Sequence, residues 1–212
     1  MENPVIIFGA NTIGQAAKAI LESNEVVIYG FLDDNKELHG IEIWDVSVLG
    51  DSDDDGYLKI NGKKCEAFVA YDNNKVRKAT VEMLNKKRKV MPVNAIHRNA
   101  FVDESAHIGH GNFINSGSII NNDAKIGSHC LIHSGAVVDF SVELGDLVQI
   151  GAGSIINSEV KIENEVFIGS GVTVVSGVTI GKGARVGAGS VVIADVEEGQ
   201  TVFGNPAVEI KN

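Results

Sequence analysis

The stretch that decides the fold is residues 102–197, which divide into sixteen blocks of six: VDESAH IGHGNF INSGSI INNDAK IGSHCL IHSGAV VDFSVE LGDLVQ IGAGSI INSEVK IENEVF IGSGVT VVSGVT IGKGAR VGAGSV VIADVE. An aliphatic residue opens every block, from Val102 to Val192. The residue four positions later is small or β-branched everywhere except at Asn112. A period of six suits neither an α-helix nor a flat strand, but it is typical of a chain that coils through three short strands per turn. The blocks therefore predict a β-solenoid.

The first 97 residues show another pattern, in which apolar runs alternate with turns and helical segments. The run Pro4–Phe8 leads into the turn GANTIG at residues 9–14, and the run Val26–Leu32 ends in an acidic pair. A third run, Ala67–Tyr71, precedes a polar helical segment. This order predicts a Rossmann-like α/β domain whose first helix offers backbone N–H groups to a phosphate.

Two features limit the ligand of this domain. Asn11 stands where a dinucleotide motif has its middle glycine, and the domain is too short for two mononucleotide halves. One nucleotide is therefore a better expectation than NAD. We assign residues 1–97 to this domain and residues 98–212 to the solenoid.

Composition excludes several functions. The net charge of −10 argues against nucleic acid, because phosphate contacts require clustered Lys and Arg. No apolar run is long enough for membrane insertion and no signal peptide is recognisable, so a cytoplasmic protein is expected. The acidic loop at residues 51–56 lacks the glutamate that an EF-hand requires, since position 62 is Gly, and no metal site is expected. Cys130 occupies a small inward position of the repeat and is interpreted as a packing residue.

Outward positions of the solenoid suggest self-association. Residues eighteen apart should stack, and one outward column is mostly apolar, as is the upper part of a second that we place beside the same face. Such a stripe would be covered either by a sister subunit, closing a cyclic trimer, or by the N-terminal domain. A column of three glycines on that face suggests exposed backbone along which a thin ligand could lie. The columns are Ile119, Val137, Ile155, Thr173, Val191; Phe113, Leu131, Gln149, Phe167, Arg185; and Gly151, Gly169, Gly187.

The chain also resembles a known family. Repeats such as Ile168–Thr173 resemble the left-handed β-helix acyltransferases, which use acetyl-CoA or another acyl-CoA. Together with the turn at residues 9–14, Asn73–Arg77, Ile96–Ala100 and Gly204–Ala207, they resemble the branch that acetylates nucleotide-linked amino sugars and the sialic acid O-acetyltransferases. The resemblance covers nearly the whole chain and implies a left-handed parallel β-helix that assembles as a homotrimer.

In that branch, a histidine at the subunit junction, helped by a carboxylate, deprotonates the acceptor while a backbone N–H binds the oxyanion. The N-terminal domain holds the nucleotide sugar, and acyl-CoA lies in a groove between coils. Carried over residue by residue, the resemblance implies Asp139 and the N–H of Gly151 for catalysis; Gly169, Gly171, Gly187 and Ala188 for acyl-CoA; and Gly9, Asn11, Asp33 and Asp34 for the sugar nucleotide. Two further candidates come from their position at the edge of the glycine column, where the family usually has other residues: His133 for catalysis and Gln149 for acyl-CoA.

One departure from the family pattern bears on catalysis. Phe140 stands where the family has its basic histidine, and a phenylalanine side chain cannot accept a proton. Either His133 serves as the base, or the positioned acceptor reacts unassisted, or catalysis is lost. The sequence thus leaves two hypotheses: an acyl-CoA-dependent acyltransferase acting on the amino or hydroxyl group of a sugar, expected to be nucleotide-linked, in glycan biosynthesis, or an eroded homologue that acts as a nucleotide-sugar-binding or scaffold protein.

Overall fold

A computed structural model describes residues 3–210, and the chain divides into two units between Arg98 and Asn99. The division falls where the apolar runs give way to six-residue blocks. Within the described range, no helix combines the length and apolar character needed to cross a membrane.

The first unit is built on a five-stranded sheet in the order β3-β4-β2-β1-β5, in which β3 alone is antiparallel to its neighbour. This is the predicted α/β arrangement. Its elements are β1 (Val5–Phe8), α1 (Thr12–Ser23), β2 (Ile28–Leu32), a 3-10 turn (Lys36–Leu38), β3 (Glu42–Ile43), β4 (Val46–Gly50), α2 (Asp55–Leu58), β5 (Glu66–Val69), α3 (Asn74–Arg88) and β6 (Ala95–Ile96).

The core of this unit follows from the parallel pairing. All four residues of β1 are buried, because a central parallel strand is covered on both faces. Ala17, Ile20 and Leu21 of α1 are also buried and form the apolar side of that helix. The carboxyl ends of β1, β2, β4 and β5 consequently meet at one edge of the sheet, which positions the turns that follow them.

The second unit is the solenoid. Each of its sixteen short strands ends in the aliphatic residue that opens a sequence block, so the predicted inward column is confirmed. The strands are β7 (Phe101–Val102), β8 (His107–Ile108), β9 (Phe113–Ile114), β10 (Ile119–Ile120), β11 (Lys125–Ile126), β12 (Leu131–Ile132), β13 (Val137–Val138), β14 (Glu143–Leu144), β15 (Gln149–Ile150), β16 (Ile155–Ile156), β17 (Lys161–Ile162), β18 (Phe167–Ile168), β19 (Thr173–Val174), β20 (Thr179–Ile180), β21 (Arg185–Val186) and β22 (Val191–Val192).

Three parallel sheets form the faces of this coil. The first face contains β7, β10, β13, β16, β19 and β22; the second contains β8, β11, β14, β17 and β20; the third runs from β9 through β12, β15, β18 and β21. The third face is extended by a closing hairpin of β23 (Thr201–Gly204) and β24 (Ala207–Glu209). Paired residues are eighteen positions apart, as in Ile119 with Val137 and Lys125 with Glu143.

Asn112, the one exception to the small-residue rule, is accommodated by hydrogen bonds inside the coil. Its side-chain amide donates to the Gly127 carbonyl at 2.9 Å, and its Oδ1 accepts from the Cys130 N–H at 2.7 Å. Asn112 is fully buried, so both polar ends of its amide need such partners. Cys130 is buried as a thiol beside it, as its interpretation as a packing residue requires.

The two outward columns lie on different faces, which corrects the prediction that they flank one face. Phe113 and Leu131 belong to the third face and are fully buried in the single chain, so they need no subunit to cover them. Ile119 and Ile155 belong to the first face and are 37% and 42% exposed. The apolar part of these two columns that is exposed in the single chain is therefore narrower than the sequence indicated, because Phe113 and Leu131 do not contribute to it.

The glycine column is also corrected, because its members are closed in by the next coil rather than open to a ligand. A Cβ on Gly151 would lie 2.4 Å from the backbone nitrogen of Ser170, and one on Gly169 would lie 2.6 Å from that of Ala188. Both glycines are buried. Glycine is needed here because adjacent turns stack with their backbones in contact.

We expect Gly151→Ala to lower the free energy of unfolding by about 1–3 kcal/mol, because its methyl group would overlap the next coil. Urea unfolding at fixed protein concentration measures the change. Gly153→Asn is the matched control: Gly153 lies in the same turn at φ +66° with nothing near its Cβ position, and asparagine tolerates that conformation. Equal unfolding midpoints for the two variants would contradict the close-contact explanation.

Candidate functional site

The first candidate site lies at the carboxyl edge of the N-terminal sheet, around the turn between β1 and α1. Gly9 has φ +111°, and a Cβ there would lie 2.9 Å from the carbonyl oxygen of Ala70. A Cβ on Gly14 would lie 1.9 Å from the Gly9 carbonyl oxygen. Both glycines therefore allow α1 to begin directly against the strand ends.

Asn11 caps the start of α1, which reduces the number of N–H groups that the helix offers to a phosphate. Its Oδ1 accepts from the N–H groups of Ile13 at 2.9 Å and Gly14 at 3.2 Å, so it is the N-cap of the helix. Its Nδ2 donates to the Ala70 carbonyl at 2.9 Å. Two of the helix N–H groups that could bind a phosphate, those of Ile13 and Gly14, are thus occupied by the chain itself.

Asp33 and Asp34 follow β2 at the same edge and differ in their remaining hydrogen-bonding capacity. The two oxygens of Asp33 accept from the N–H groups of Ala10 at 2.8 Å and Asn35 at 2.9 Å, tying the end of β2 to the glycine turn. Asp34 uses Oδ1 to accept from Ser52 at 2.8 Å, and its Oδ2 accepts no hydrogen bond from any residue between 3 and 210. The structure therefore brings Gly9, Asn11 and Asp33 together and leaves an exposed acceptor on Asp34 beside them.

Two residues of this site were missed in the sequence, Tyr71 and Arg77. Tyr71 follows β5, and its Cε1 lies 3.2 Å from the position of a Gly9 Cβ. Arg77 is fully buried in the first turn of α3 and donates through Nη1 to the carbonyls of Tyr71 at 2.6 Å and Asp72 at 3.1 Å. The rule that parallel strands end at one sheet edge could have indicated Tyr71, whereas a buried arginine gives no signal in sequence.

The second candidate site lies on the solenoid, where the third face turns into the first. His133 opens that turn, its ring centroid is 5.8 Å from that of the buried Phe113, and its Nε2 is 3.3 Å from Nε2 of Gln149. An amide nitrogen can only donate, so this contact makes Nε2 of His133 the acceptor. An imidazole nitrogen in its accepting form is the group that a general base requires, and a substrate proton would reach it by replacing the Gln149 donor.

Gly151 stacks above His133, but its N–H does not suit the expected oxyanion role. It donates to the Ile168 carbonyl at 2.8 Å, as Gly169 does to Val186, in the ladder that joins successive coils. The next N–H in the turn, that of Ala152, donates to no residue within the described range. A free oxyanion donor is therefore present one residue later than the resemblance implied.

Asp139 is not brought to His133 within one chain. It opens the turn from the first face to the second, and the strand Val137–Val138 separates the two turns. Its Oδ1 accepts from the side chain of Asn121 at 2.8 Å. Phe140 follows it and is 44% exposed.

The residues expected to contact acyl-CoA fall into three groups. Gln149 contacts His133, Gly169 and Gly187 are stacked closely on the following chain, and Gly171 and Ala188 are exposed in turns. Within residues 3–210, His, Cys, Asp and Glu side chains form no group of three that could hold a metal ion.

Comparison with known families assigns both units. Residues 4–84 match the PglD N-terminal domain. Residues 96–139 and 159–194 match the bacterial transferase hexapeptide family, and residues 124–158 match the hexapeptide repeat of succinyl-transferase. No match was found among curated protein sequences.

Several solved structures have the same architecture, and each aligns with this chain over almost the full length of both proteins. Perosamine N-acetyltransferase from Caulobacter crescentus, as a histidine-to-asparagine variant in complex with CoA and GDP-perosamine, is 29% identical with a TM-score of 0.91, covering 100% of this chain and 99% of that one. The acetyltransferase domain of PglB from Neisseria gonorrhoeae, in complex with acetyl coenzyme A, is 23% identical with a TM-score of 0.90, covering 99% and 100%. WeeI from Acinetobacter baumannii is 24% identical with a TM-score of 0.86, covering 98% and 99%.

These comparisons confirm the left-handed parallel β-helix and the α/β domain before it. They also favour an enzyme over the eroded scaffold that the sequence left open. The family matches and the solved structures together support a hexapeptide-repeat sugar acyltransferase with an N-terminal domain of the PglD type.

Proposed function

We propose that this acyltransferase moves an acetyl group from acetyl-CoA to an amino group of a nucleotide-linked sugar. The observation that carries the proposal is the match over the full chain to an N-acetyltransferase whose structure contains CoA and GDP-perosamine. The exposed acceptor of Asp34 at the carboxyl edge of the N-terminal sheet supports a nucleotide-sugar site in that unit.

His133 is the general base in this proposal. Phe113 restrains its ring, and the Gln149 contact keeps Nε2 as a proton acceptor. Once His133 is protonated, rotation of the Gln149 amide can present Oε1 to the imidazolium, so the same partner serves both charge states. The acceptor amine replaces the Gln149 donor at Nε2 of His133 and attacks the thioester carbonyl while that nitrogen takes its proton. The C–S bond of the tetrahedral intermediate then breaks, and the imidazolium returns the proton to the sulfur, so that CoA leaves as the thiol.

The N–H of Ala152 takes the oxyanion role that the sequence gave to Gly151. It is in the same turn and has no acceptor among the described residues, whereas the N–H of Gly151 is committed to Ile168. A preorganised donor at this place lowers the energy of the tetrahedral oxyanion without reorganisation. Acyl-CoA would lie along the exposed turn residues Gly171 and Ala188. The closely stacked backbone at Gly169 and Gly187 would line the bottom of this groove.

The active assembly in this proposal is a homotrimer packed through the first face. Phe101, Ile119 and Ile155 expose apolar side chains along that face, at 55%, 37% and 42%. A continuous apolar column on the surface of a rod is stabilised when a sister subunit covers it.

Release of CoA thiol from acetyl-CoA, with GDP-, UDP- and dTDP-linked amino sugars as acceptors, tests the reaction. Wild-type protein should release thiol with at least one of them, and no turnover across the panel would refute the function. We expect His133→Ala to lower kcat by about 10²–10⁴-fold, the range of a lost general base. The exposed His107, on the second face, provides the control His107→Ala, which should retain wild-type kcat.

The variant Phe140→His, which restores the histidine found in the family, tests whether the general base lies in the turn of His133 or in the turn of Phe140. Phe140→His should leave kcat within about twofold of wild type if His133 is the base, since Phe140 lies in a different turn from His133. A large gain in kcat from Phe140→His, with His133→Ala unimpaired, would place the base at the turn after the first face instead.

Light scattering of the purified protein should give about three times the chain mass of 22.5 kDa. Ile119→Glu with Ile155→Glu should reduce that mass, because two charges would then enter the apolar contact. Lys125→Glu, on the polar second face, is the control and should leave the mass unchanged. A wild-type mass of a single chain would contradict the trimer.

A further inference from the structure

Tyr71 has unused hydrogen-bonding capacity at the nucleotide edge. It stands at the end of β5, packs against the hydrophobic core of the N-terminal unit, and places its ring beside Gly9. Its hydroxyl makes no hydrogen bond within residues 3–210. Such a group, on a ring that packs against the core and lies beside the glycine turn, is available to a ligand.

The surroundings keep this hydroxyl protonated. Burial raises the pKa of the Tyr71 phenol, and the negative charges of Asp33 and Asp34 raise it further. The phenol therefore remains an O–H donor at neutral pH, close to carboxylates with which it does not bond directly. Asp34 Oδ2 is the nearby acceptor without a hydrogen bond from the described chain.

The loop that carries Tyr71 is fixed from both sides. Asn11 holds the Ala70 carbonyl, and the buried Arg77 holds the carbonyls of Tyr71 and Asp72. A preorganised donor costs little entropy when a ligand binds it. Because Asn11 caps the N–H groups of Ile13 and Gly14, this edge offers a phosphate fewer donors, whereas Tyr71 and Asp34 offer a nucleoside both a donor and an acceptor.

We propose that Tyr71 is a specificity-determining residue that donates its hydroxyl hydrogen to the nucleoside of the nucleotide sugar, while Asp34 Oδ2 accepts from a neighbouring N–H or O–H of the same nucleoside. This deepens the proposed function and rests on it. The paired donor and acceptor match either a base edge on which an N–H adjoins an acceptor, such as C=O or a ring nitrogen, or two hydroxyls of the ribose.

Calorimetric titration of the full chain with UDP, dTDP, GDP, CDP and ADP tests the proposal. Tyr71→Phe removes only the hydroxyl and should weaken the binding of the preferred nucleotide about 3- to 10-fold. Asp34→Asn keeps an oxygen for the Ser52 N–H and should weaken binding about tenfold. Their effects should be less than additive if both groups hold one nucleoside. In turnover, Tyr71→Phe should raise KM for the nucleotide sugar and leave kcat unchanged.

The control is Tyr29→Phe, an exposed tyrosine near the opposite end of β2, which should bind as wild type does. Discrimination among UDP, GDP, CDP and ADP, which share the ribose, identifies the base edge, whereas equal binding of these four with weaker dTDP identifies the ribose. Wild-type affinity in Tyr71→Phe would overturn this proposal and leave the proposed function standing. If wild-type protein bound none of the five nucleotides, both the proposal and the nucleotide-linked substrate would fail.

Discussion

The hydrogen-bond ladder between residues eighteen apart is the constraint on which the solenoid depends. The first N–H of each turn donates to the carbonyl that closes the strand of the next coil, as Asp139 does to Ile156 and Gly151 to Ile168. Backbone groups used in this way are unavailable to a substrate. Chemistry must then come from outward side chains and from turn N–H groups that the ladder leaves out. This is why the oxyanion donor is sought at Ala152.

The parts of the fold that follow from side-chain period could be predicted, and the parts that follow from backbone contact could not. Inward aliphatic residues such as Ile132 could be identified from their six-residue spacing, because the position of a residue within the repeat decides whether its side chain is buried. Position 151 requires glycine because a Cβ there would lie 2.4 Å from the backbone nitrogen of Ser170, nineteen positions later in the chain. The local sequence around Gly151 does not reveal this contact. The same reasoning explains why the glycine column was misread as a ligand track.

The N-terminal site shows a similar limit. The order of strands, glycine turn and acidic pair was sufficient to predict the α/β unit and to place Asp33 and Asp34 at the ligand edge. Whether Asn11 binds a ligand or caps α1 depends on a side-chain rotamer, and asparagine suits both roles. The burial of Arg77 could not be predicted, because a charged side chain is expected to be exposed to solvent. It is explained by the carbonyl groups of Tyr71 and Asp72, to which the guanidinium donates hydrogen bonds.

The separation of His133 from Asp139 links the active site to assembly. The two residues open successive turns of one coil, with the first face between them. Within one chain the carboxylate cannot assist the imidazole across that face. A carboxylate partner for the imidazole would then have to come from a second protomer packed on that apolar face. The exposed side chains of Ile119 and Ile155 would then serve catalysis indirectly, because covering them completes a base and carboxylate pair that neither chain holds alone.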